Sequence, residues 1–307
     1  MSNTIHTRAF VIGEALIDAV HDRQGNVTEH PGGSPANVAL TLGRLGQHAQ
    51  LLSWFGQDQR GQVISQWLAD SKVAVDPSSD ASATTSVATA HIQNDGSAQY
   101  EFDIEWDIAT GAQVPAEANV VHTGSISAVL EPGGSKVLDL LASARPFATI
   151  TYDPNARPSL MGDPRTTREL VEQYVEVSDV VKVSDEDLEW LYPGESPLTI
   201  AERWQKGTPA LVIVTKGGSG ATAFADCGRV DVESRPVEVA DTVGAGDSFM
   251  GALIFGLGED TLLGKDGRDN LNAISRSTLE RVLDQCVQVA AITVSRAGAN
   301  PPWHNEL

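Results

Sequence analysis

The sequence predicts an α/β fold, with a mainly parallel sheet in a three-layer α/β/α arrangement and a small β-lid. Two observations lead to this prediction. Short apolar runs alternate with longer segments of helical periodicity along most of the chain, as expected for β/α units. Between residues 84 and 107, two alternating runs flank the turn sequence Asn-Asp-Gly-Ser, as expected for an inserted hairpin. Because the 307 residues contain no internal repeat and no linker, we expect one domain spanning 1–307.

The first β/α unit is expected near the start of the chain. Residues 9–18 are rich in aliphatic and β-branched types and predict a strand. Apolar residues at helical spacing predict a helix from Ser34 to Leu45, and Gly46 is a typical helix end. Later strands are expected around Leu51 and at 119–123, 148–153, 179–183, 210–215, 221–224 and 236–240. Later helices are expected around 62–68, 135–143, 166–177, 185–191, 198–205, 247–257 and 277–294.

The hairpin is a candidate lid. Ligands of open α/β sheets bind outside the carboxyl ends of the strands, so we expect segments 14–31 and 84–107 to cover that edge. Tyr100 and Phe102 share one face of the second hairpin strand, where they are expected to cover a ligand and exclude water. Ordinary packing of the hairpin onto the domain is the alternative.

Composition excludes several classes of partner. The 41 acidic and 21 basic side chains give a formal net charge of −20, which disfavours nucleic acid and anionic membrane surfaces. Cys227 and Cys286 lie in no CxxC or Cys/His pattern, so neither a disulfide framework nor a zinc site is indicated. The sequence shows no signal-peptide pattern and no apolar run of about 18 residues, so we expect a cytoplasmic protein.

The strongest local motif is Asp-Thr-Val-Gly-Ala-Gly-Asp-Ser at 241–248, which opens into an apolar helix. Gly244, Ala245 and Gly246 allow a ligand to approach closely, and the N–H groups at the start of the helix form an anion site. A carboxylate beside this site repels an anion but is well placed to accept a proton from an attacking hydroxyl. Asp247 is therefore a candidate general base, with a simple helix cap as the alternative.

A second motif, Gly-Gly-Ser-Pro-Ala-Asn, lies at 32–37. Gly32 and Gly33 permit close approach, and Asn37 offers a donor and acceptors, which suits sugar hydroxyls. Asp18, expected at the end of the first strand, adds an acceptor for paired hydroxyls. A helix cap for Asn37 and a turn role for Asp18 are the alternatives. No P-loop is present, and no G-x-G-x-x-G opens a helix after a strand, so an NAD site is not indicated.

Together, the two motifs, in this order and with Gly46 and Gly56 at the matching spacing, resemble the ribokinase-like (PfkB-type) family of carbohydrate kinases. The resemblance implies a ribokinase-like fold and transfer of a phosphoryl group from ATP to a primary sugar hydroxyl. It implies a general base at Asp247 and an anion hole at Gly244, Ala245 and Gly246. It also implies sugar contacts from Asp18, Gly32, Gly33, Asn37, Tyr100 and Arg157. The residues that it implies for nucleotide contacts are Ser184, Thr215, Gly217, Gly218, Gly220, Gly246 and Asn300. A tight hairpin is the alternative reason for the glycines between 217 and 220.

One stretch departs from the family pattern. Residues 181–188 occupy the place of the family's Asn-x-x-Glu motif, but Ser184 replaces the Asn and Asp187 replaces the Glu. The resemblance implies that Asp187 orders a hydrated Mg²⁺, since Mg²⁺ usually retains waters. A Ser–Asp capping pair at the start of a helix is the alternative.

Two further stretches indicate which sugar and which ions the protein binds. Asp-Pro-Asn-Ala-Arg at 153–157 is similar to a stretch of fructokinases and 2-keto-3-deoxygluconate kinases, which implies that Arg157 contacts the phosphoryl group or an acidic sugar. A surface salt bridge is the alternative. Residues 295–302 also resemble the fructokinase branch, and the resemblance implies a K⁺ site with Asp241 and Val243. Arg157 is then expected to be the single side-chain cation at the site.

The resemblance thus implies an ATP-dependent sugar kinase, and we expect fructose as the substrate. The alternatives within the family are 2-keto-3-deoxygluconate kinase, another ketose kinase, and ribokinase or nucleoside kinase. An acidic sugar needs a second cation, which the sequence does not assign. A non-catalytic sugar-binding relative is disfavoured, because Asp247 and the glycines before it are intact. A homodimer that pairs its lids is also implied.

Overall fold

The computed structural model of the chain describes residues 7–93 and 98–307. Its strands are β1 (Arg8–Ile12), β2 (Leu16–His21), β3 (Val27–Gly32), β4 (His48–Leu52), β5 (Val73–Val75), β6 (Val87–Ile92), β7 (Ala98–Asp103), β8 (Val120–Gly124), β9 (Thr149–Asp153), β10 (Val180–Ser184), β11 (Leu211–Thr215), β12 (Ala221–Ala225) and β13 (Gly228–Val232). Its helices are α1 (Ser34–Arg44), α2 (Gln59–Asp70), α3 (Gly133–Ala144), α4 (Pro158–Met161), α5 (Pro164–Val177), α6 (Asp185–Leu191), α7 (Pro197–Gln205), α8 (Ala245–Glu259), α9 (Arg268–Asn272) and α10 (Arg276–Val294). None of these helices is long and apolar enough to span a membrane.

The main sheet is mostly parallel. Within the described residues it has nine strands in the order β13-β12-β11-β10-β9-β8-β1-β4-β5, and only the β11-β12 and β12-β13 pairs are antiparallel. Successive residues of β1 point to opposite faces. Val11 lies in one buried cluster with Leu253 of α8, and Phe10 lies in another with Ile200 of α7. Helices therefore cover both faces, which confirms the predicted three-layer α/β/α fold.

A separate sheet joins two distant parts of the chain. Its four described strands are ordered β3-β2-β6-β7, so a segment near the first β/α unit pairs with the hairpin. The antiparallel register of the hairpin places Ala88 opposite Phe102 and Ala90 opposite Tyr100. The turn predicted at 94–97 lies outside the described residues.

The single strand predicted at 9–18 is wrong, because the chain changes sheets within it. β1 belongs to the main sheet and β2 to the second sheet. Between them, a Cβ on Gly13 would overlap the ring of Pro35 and lie 2.8 Å from the Ser127 hydroxyl oxygen. The tight packing at this glycine allows the chain to leave the main sheet, and it carries Asp18 onto the second sheet instead of the end of β1.

The strand predicted at 236–240 is also wrong. Val237 and Val239 are 38% and 58% exposed, and no described strand pairs with this segment. The amides of Ala240 and Asp241 both donate to the carbonyl of Val294. This segment pairs with no strand of the described chain and instead bonds to the end of α10.

The carboxyl ends of five neighbouring parallel strands lie at one edge of the main sheet. These strands, β1, β8, β9, β10 and β11, end at Ile12, Gly124, Asp153, Ser184 and Thr215. The chain order reverses beside β1, with β4 on one side and β8 on the other. Such a switch point leaves a crevice outside the strand ends, and it is here that open α/β sheets bind ligands.

Candidate active site

A cavity of about 520 Å³ lies between this edge and the second sheet. It brings together eleven of the residues singled out in the sequence: Asp18, Gly33, Asn37, Tyr100, Phe102, Arg157, Val243, Gly244, Ala245, Gly246 and Asp247. The other predicted site residues, all within the described chain, lie outside its lining: Gly32, Ser184, Asp187, Thr215, Gly217, Gly218, Gly220, Asp241 and Asn300.

The N-terminus of α8 forms one wall of the cavity. Gly244 is its N-cap, with φ at 76°, and a Cβ there would lie 2.6 Å from the Cβ of Ala299. Both the left-handed conformation and the close packing therefore require glycine. The helix begins at Ala245, two residues before the predicted start, so the N–H groups of its first turn lie at the cavity. The first N–H groups of a helix have no partner within the helix and attract anions.

Asp247 lies in this first turn and is 7% exposed. The hydroxyl of Ser34 donates to its Oδ1 at 2.7 Å, and Nδ2 of Asn37 donates to its Oδ2 at 2.8 Å. The amide of Asn155 lies 3.4 Å from Oδ1. Because Gly244 is the cap of α8, Asp247 is not, and its carboxylate is oriented by α1 and the loop after β9.

The first turn of α1 lies against Asp247. Gly33 is the N-cap of α1, so Asn37 is not a cap either, and its Oδ1 is buried with no hydrogen-bond partner in the described chain. Gly33 has φ at 113°, and a Cβ there would overlap the carbonyl oxygen of Glu14. Gly32 packs in the same way against the carboxylate of Asp18. This motif therefore presents an unused acceptor and bare backbone beside Asp247.

A buried ion pair lies beneath the N-terminus of α8. The register that places Val181 beside Tyr152 brings Lys182 of β10 next to Asp153 of β9, with Nζ 2.7 Å from Oδ2. Both side chains are almost fully buried. A Cβ on Gly246 would lie only 2.9 Å from the Lys182 Nζ, so the ammonium group packs against the start of α8.

Lys182 corrects one sequence-based expectation. Arg157 was expected to be the single side-chain cation at the site, and this is wrong because Lys182 lies directly behind the anion site. Burial alone would lower the pKa of Lys182, but the carboxylate of Asp153 outweighs that effect and the pKa is raised. Burial also raises the pKa of Asp153 to about 6, which leaves the pair ionised at neutral pH. A lysine between two valines of a buried strand is the signal that could have revealed this pair.

Arg157 lines the cavity and is exposed. Its Nη1 donates to the carbonyl and side-chain oxygens of Asn155 and to the carbonyl of Ala156, so the guanidinium is held against its own loop. Among the described lining residues it is the only lysine or arginine. Tyr100, which is 60% exposed, stacks on Phe102 with ring centroids 5.9 Å apart on the cavity side of the second sheet.

The candidate nucleotide and Mg²⁺ residues lie farther along the same edge. Ser184 and Thr215 are neighbours in the register of β10 and β11. Ser184 and Asp187 form a capping box at the start of α6, which agrees with the alternative that these two residues cap the helix. The other carboxylate oxygen of Asp187 accepts from the backbone N–H of Ala156 at 2.9 Å. The glycines between 217 and 220 also lie in a hairpin, because Gly217–Ser219 forms a 3₁₀ turn between the antiparallel strands β11 and β12. A nucleotide or Mg²⁺ role for these residues stays a prediction.

Two contacts fix the loop that follows α10. The carboxylate of Asp241 accepts from the amides of Val243 at 3.0 Å and Gly298 at 2.9 Å, which joins the two segments predicted to bind K⁺. Asn300, predicted near the adenine, accepts through Oδ1 from Nη1 of Arg44 at 2.6 Å. The first contact holds this loop against the segment that precedes α8, and the second holds it against the end of α1. K⁺ binding itself stays a prediction.

Sequence reasoning missed five residues of the site: Glu14, Ser34, Asp153, Asn155 and Lys182. Ser34 and Asn155 stood inside quoted motifs, and their polar side chains next to glycine or proline were the available signal. Glu14 carried no signal beyond a carboxyl group within an apolar run. It is 5% exposed and lines the cavity, and burial raises its pKa to about 7.

The chain is similar to known proteins both in sequence and in fold. A sequence model of the pfkB family carbohydrate kinases matches residues 6–306. The chain is 32% identical over 264 residues to a fructokinase of Rhizobium leguminosarum bv. trifolii, covering 82% of this chain and 80% of that protein. Its fold is similar to that of a fructokinase of Xylella fastidiosa, with a TM-score of 0.84 at 22% identity, over 97% of this chain and 96% of that chain.

A fructokinase of Vibrio cholerae O395, solved in a fructose, ADP and calcium ion bound form, is also similar. Its TM-score is 0.74 at 25% identity, over 97% of this chain and 95% of that chain. The family model spans nearly the whole sequence, including both glycine motifs, and with the relative from Rhizobium it confirms the family resemblance. The solved structures confirm the ribokinase-like fold. The chain is a sugar kinase and belongs to the pfkB family of carbohydrate kinases.

Proposed function

We propose that this chain is an ATP-dependent fructokinase that phosphorylates a primary hydroxyl of fructose. The observation that carries the proposal is the position of Asp247. It is a buried carboxylate in the first turn of α8, oriented by Ser34 and Asn37 and facing a cavity of about 520 Å³. The relative of Rhizobium leguminosarum is a fructokinase, and the structure from Vibrio cholerae has fructose bound, which supports fructose as the sugar.

In the proposed reaction, Asp247 accepts the proton of the sugar hydroxyl while the hydroxyl oxygen attacks the γ-phosphorus of ATP. The bond from that phosphorus to its bridging oxygen breaks, and ADP leaves. The N–H groups of Gly244 and Gly246 stabilise the charge on the transferring group, while the N–H of Ala245 donates to the carbonyl of Thr242. Lys182, behind Gly246, adds a positive charge that is fixed by its buried partner, so it need not reorganise during transfer.

The sugar is proposed to bind between α1 and the second sheet. Asn37 has an unused Oδ1 for a sugar hydroxyl, Gly33 allows close approach of the sugar, and Asp18 on β2 accepts further hydroxyls. Tyr100 of the second sheet covers the sugar, and Gly32, which has no side chain, leaves room for the carboxylate of Asp18.

The charges of the cavity favour a neutral sugar. Three carboxyl groups line it, those of Glu14, Asp18 and Asp247, against the single lining cation Arg157. If Arg157 neutralises the transferring phosphoryl group, no lining cation remains for a sugar carboxylate. This favours fructose over 2-keto-3-deoxygluconate.

ATP is proposed to bind along the ends of β10 and β11. The residues assigned to it are Ser184, Thr215, Gly217, Gly218, Gly220 and Asn300. The surroundings of Asp187 fit a hydrated Mg²⁺, because each carboxylate oxygen accepts one backbone N–H and keeps lone pairs for metal-bound water. When bound, Mg²⁺ neutralises charge on the ATP phosphates. Carbonyl groups near Asp241 and Val243 are proposed to hold K⁺.

Two features of assembly and location complete the proposal. The second sheet exposes Val20, Val27 and Tyr100, at 36%, 50% and 60%, which supports a homodimer that pairs its lids. Both cysteines are free thiols, which is typical of a cytoplasmic protein. Light scattering of the purified protein tests the dimer directly.

The Asp247→Asn variant tests the proposed function. With saturating ATP and fructose, the rate of ADP formation is expected to fall at least about 10²-fold, because the general base is lost. The fructose Kd from calorimetry is expected to change less than about threefold, because Ser34 and Asn37 keep the amide in place. Asp139→Asn, on the exposed side of α3, is the matched control and should keep wild-type activity.

A sugar panel separates the alternatives. kcat/KM is measured with fructose, 2-keto-3-deoxygluconate, ribose and a nucleoside, with and without K⁺ and Mg²⁺. The highest value with another sugar contradicts the choice of fructose. Binding of a sugar with no ADP formation at all identifies a non-catalytic binder, and near-full activity of Asp247→Asn refutes the mechanism.

A further inference from the structure

Glu14 occupies a position at the sugar site that the proposed mechanism does not use. It lies in the short connection between β1 and β2, where the chain passes from the main sheet to the second sheet. Its carbonyl oxygen lies so close to Gly33 that a Cβ on that glycine would overlap it. The backbone of Glu14 is therefore part of the same packing that shapes the sugar-binding turn.

The side chain of Glu14 has unused hydrogen-bonding capacity. It is 5% exposed, its Oε1 accepts from the amide of Ser34 at 3.3 Å, and its Oε2 is buried with no hydrogen-bond partner in the described chain. A buried polar atom without a partner costs free energy, and a ligand group can satisfy it. Because Glu14 lines the cavity, a hydroxyl group of a sugar bound there can supply this hydrogen bond.

Burial disfavours the ionised form of Glu14, although a cation lies nearby. Asp18 of β2 and Asp247 of α8 line the same cavity, and Arg157 in the loop after β9 is the lining cation that faces them. Arg157 lowers the pKa of Glu14, but burial is the larger effect and places it at about 7. At neutral pH the carboxyl group of Glu14 is therefore present in protonated and ionised forms in comparable amounts.

We propose that Glu14 is a sugar-binding residue whose carboxyl group contacts a hydroxyl of the bound sugar and takes up a proton when the sugar binds. The proposal rests on the proposed function, because it assumes that a neutral sugar fills this cavity. The sugar displaces water from beside the carboxyl group, which disfavours the charge, and a neutral carboxyl group both donates and accepts toward hydroxyls. Sugar affinity is then coupled to pH, and it falls as the solution becomes alkaline.

Calorimetry of fructose binding without nucleotide tests this coupling. At pH 7, titrations in buffers of different ionisation enthalpy are expected to show uptake of about half a proton per sugar. The fructose Kd is expected to be about 30-fold weaker at pH 8.5 than at pH 6, as linkage to a group titrating near 7 requires. Glu14→Gln, which keeps the shape of the side chain, is expected to abolish the uptake and to make the Kd nearly independent of pH. Glu176→Gln, exposed on α5, is the matched control and should behave as the wild type.

The outcomes distinguish this proposal from the proposed function. The role of Glu14 is overturned if sugar binding to the wild type releases protons or exchanges none, or if Glu14→Gln takes up as many protons as the wild type. The proposal of phosphoryl transfer to fructose would still stand in each of these cases. If another sugar of the panel is the better substrate, the same titrations are made with it. Binding with uptake but without ADP formation refutes the kinase proposal alone, and failure of every sugar to bind refutes both.

Discussion

Replacement of Lys182 by methionine tests how the buried ion pair contributes to stability and to the site. Lys182 and Asp153 are 4% and 0% exposed, and Nζ lies 2.7 Å from Oδ2. Methionine keeps most of the side-chain volume but removes the ammonium group. The carboxyl group of Asp153 is then left in an apolar interior, where its Oδ1 already lacks a hydrogen-bond partner among the described residues.

The expected cost follows from the protonation of Asp153. Its ordinary pKa is near 3.8, so taking up a proton in the folded state at pH 7 costs about 4 kcal/mol relative to the unfolded chain. If Asp153 instead stays ionised without Lys182 beside it, the folded state loses about 3–5 kcal/mol of stability. By either route, we expect Lys182→Met to lower the free energy of unfolding by about 4 kcal/mol at pH 7.

The stability lost in Lys182→Met is expected to depend on pH. Asp153 has a folded-state pKa raised to about 6, and a raised carboxyl pKa makes the folded state gain stability as pH falls through it. Without Lys182 this pKa rises further, so the gain begins at a higher pH in the variant. We therefore expect the difference from the wild type to shrink by about 2 kcal/mol between pH 8 and pH 6.

Urea unfolding followed by circular dichroism at these two pH values measures the effect. Lys182→Met combined with Asp153→Asn is expected to recover most of the stability and to remove the excess pH dependence, since no unpaired carboxyl group remains. Lys206→Met, an exposed lysine paired with Glu202, should cost less than about 1 kcal/mol. An equal loss at pH 6 and pH 8, or no recovery in the double variant, refutes the reasoning.

Two substitutions test the geometry of the site. Gly246→Ala places a methyl group 2.9 Å from the Lys182 Nζ; because that flexible end can move, the fold is expected to survive, but kcat should fall about tenfold as the ammonium group is displaced. An ADP-release assay measures this, and unchanged kcat would separate Lys182 from catalysis. Ser34→Ala removes the 2.7 Å hydrogen bond to Asp247 and should lower kcat about tenfold with little change in the fructose KM. A rise in KM alone would instead assign Ser34 to sugar binding.

Local patterns in the sequence were sufficient for most of the fold. Apolar periodicity placed most helices and the parallel strands within a few residues, because each element buries one face at a fixed spacing. The same reasoning failed where pairing decided the outcome. Residues 9–18 have the pattern of one strand although the chain changes sheets between Ile12 and Leu16, and residues 236–240 have the pattern of a strand although no described strand pairs with them.

The candidate site divides in the same way. The glycine motifs identified Asp247 and its anion site, since a small-residue turn into a helix carries its chemistry locally. The partners of Asp247 are not local, because Ser34 lies 213 residues and Asn37 lies 210 residues away in the chain. Their hydrogen bonds distinguish an oriented base from a simple cap, and no local pattern contains that information.

By itself, the sequence determined the α/β architecture, the family and the position of the proposed base, because these follow from periodicity and from contiguous motifs. The tertiary structure alone decided which charges surround the proposed base. The register of β9 and β10 places Lys182 beside Asp153 and beneath Gly246, and the junction of the two sheets buries Glu14 in the cavity wall. A chain with a net charge of −20 can therefore bind an anion where strand register and helix position collect the few cations and N–H groups that the reaction needs.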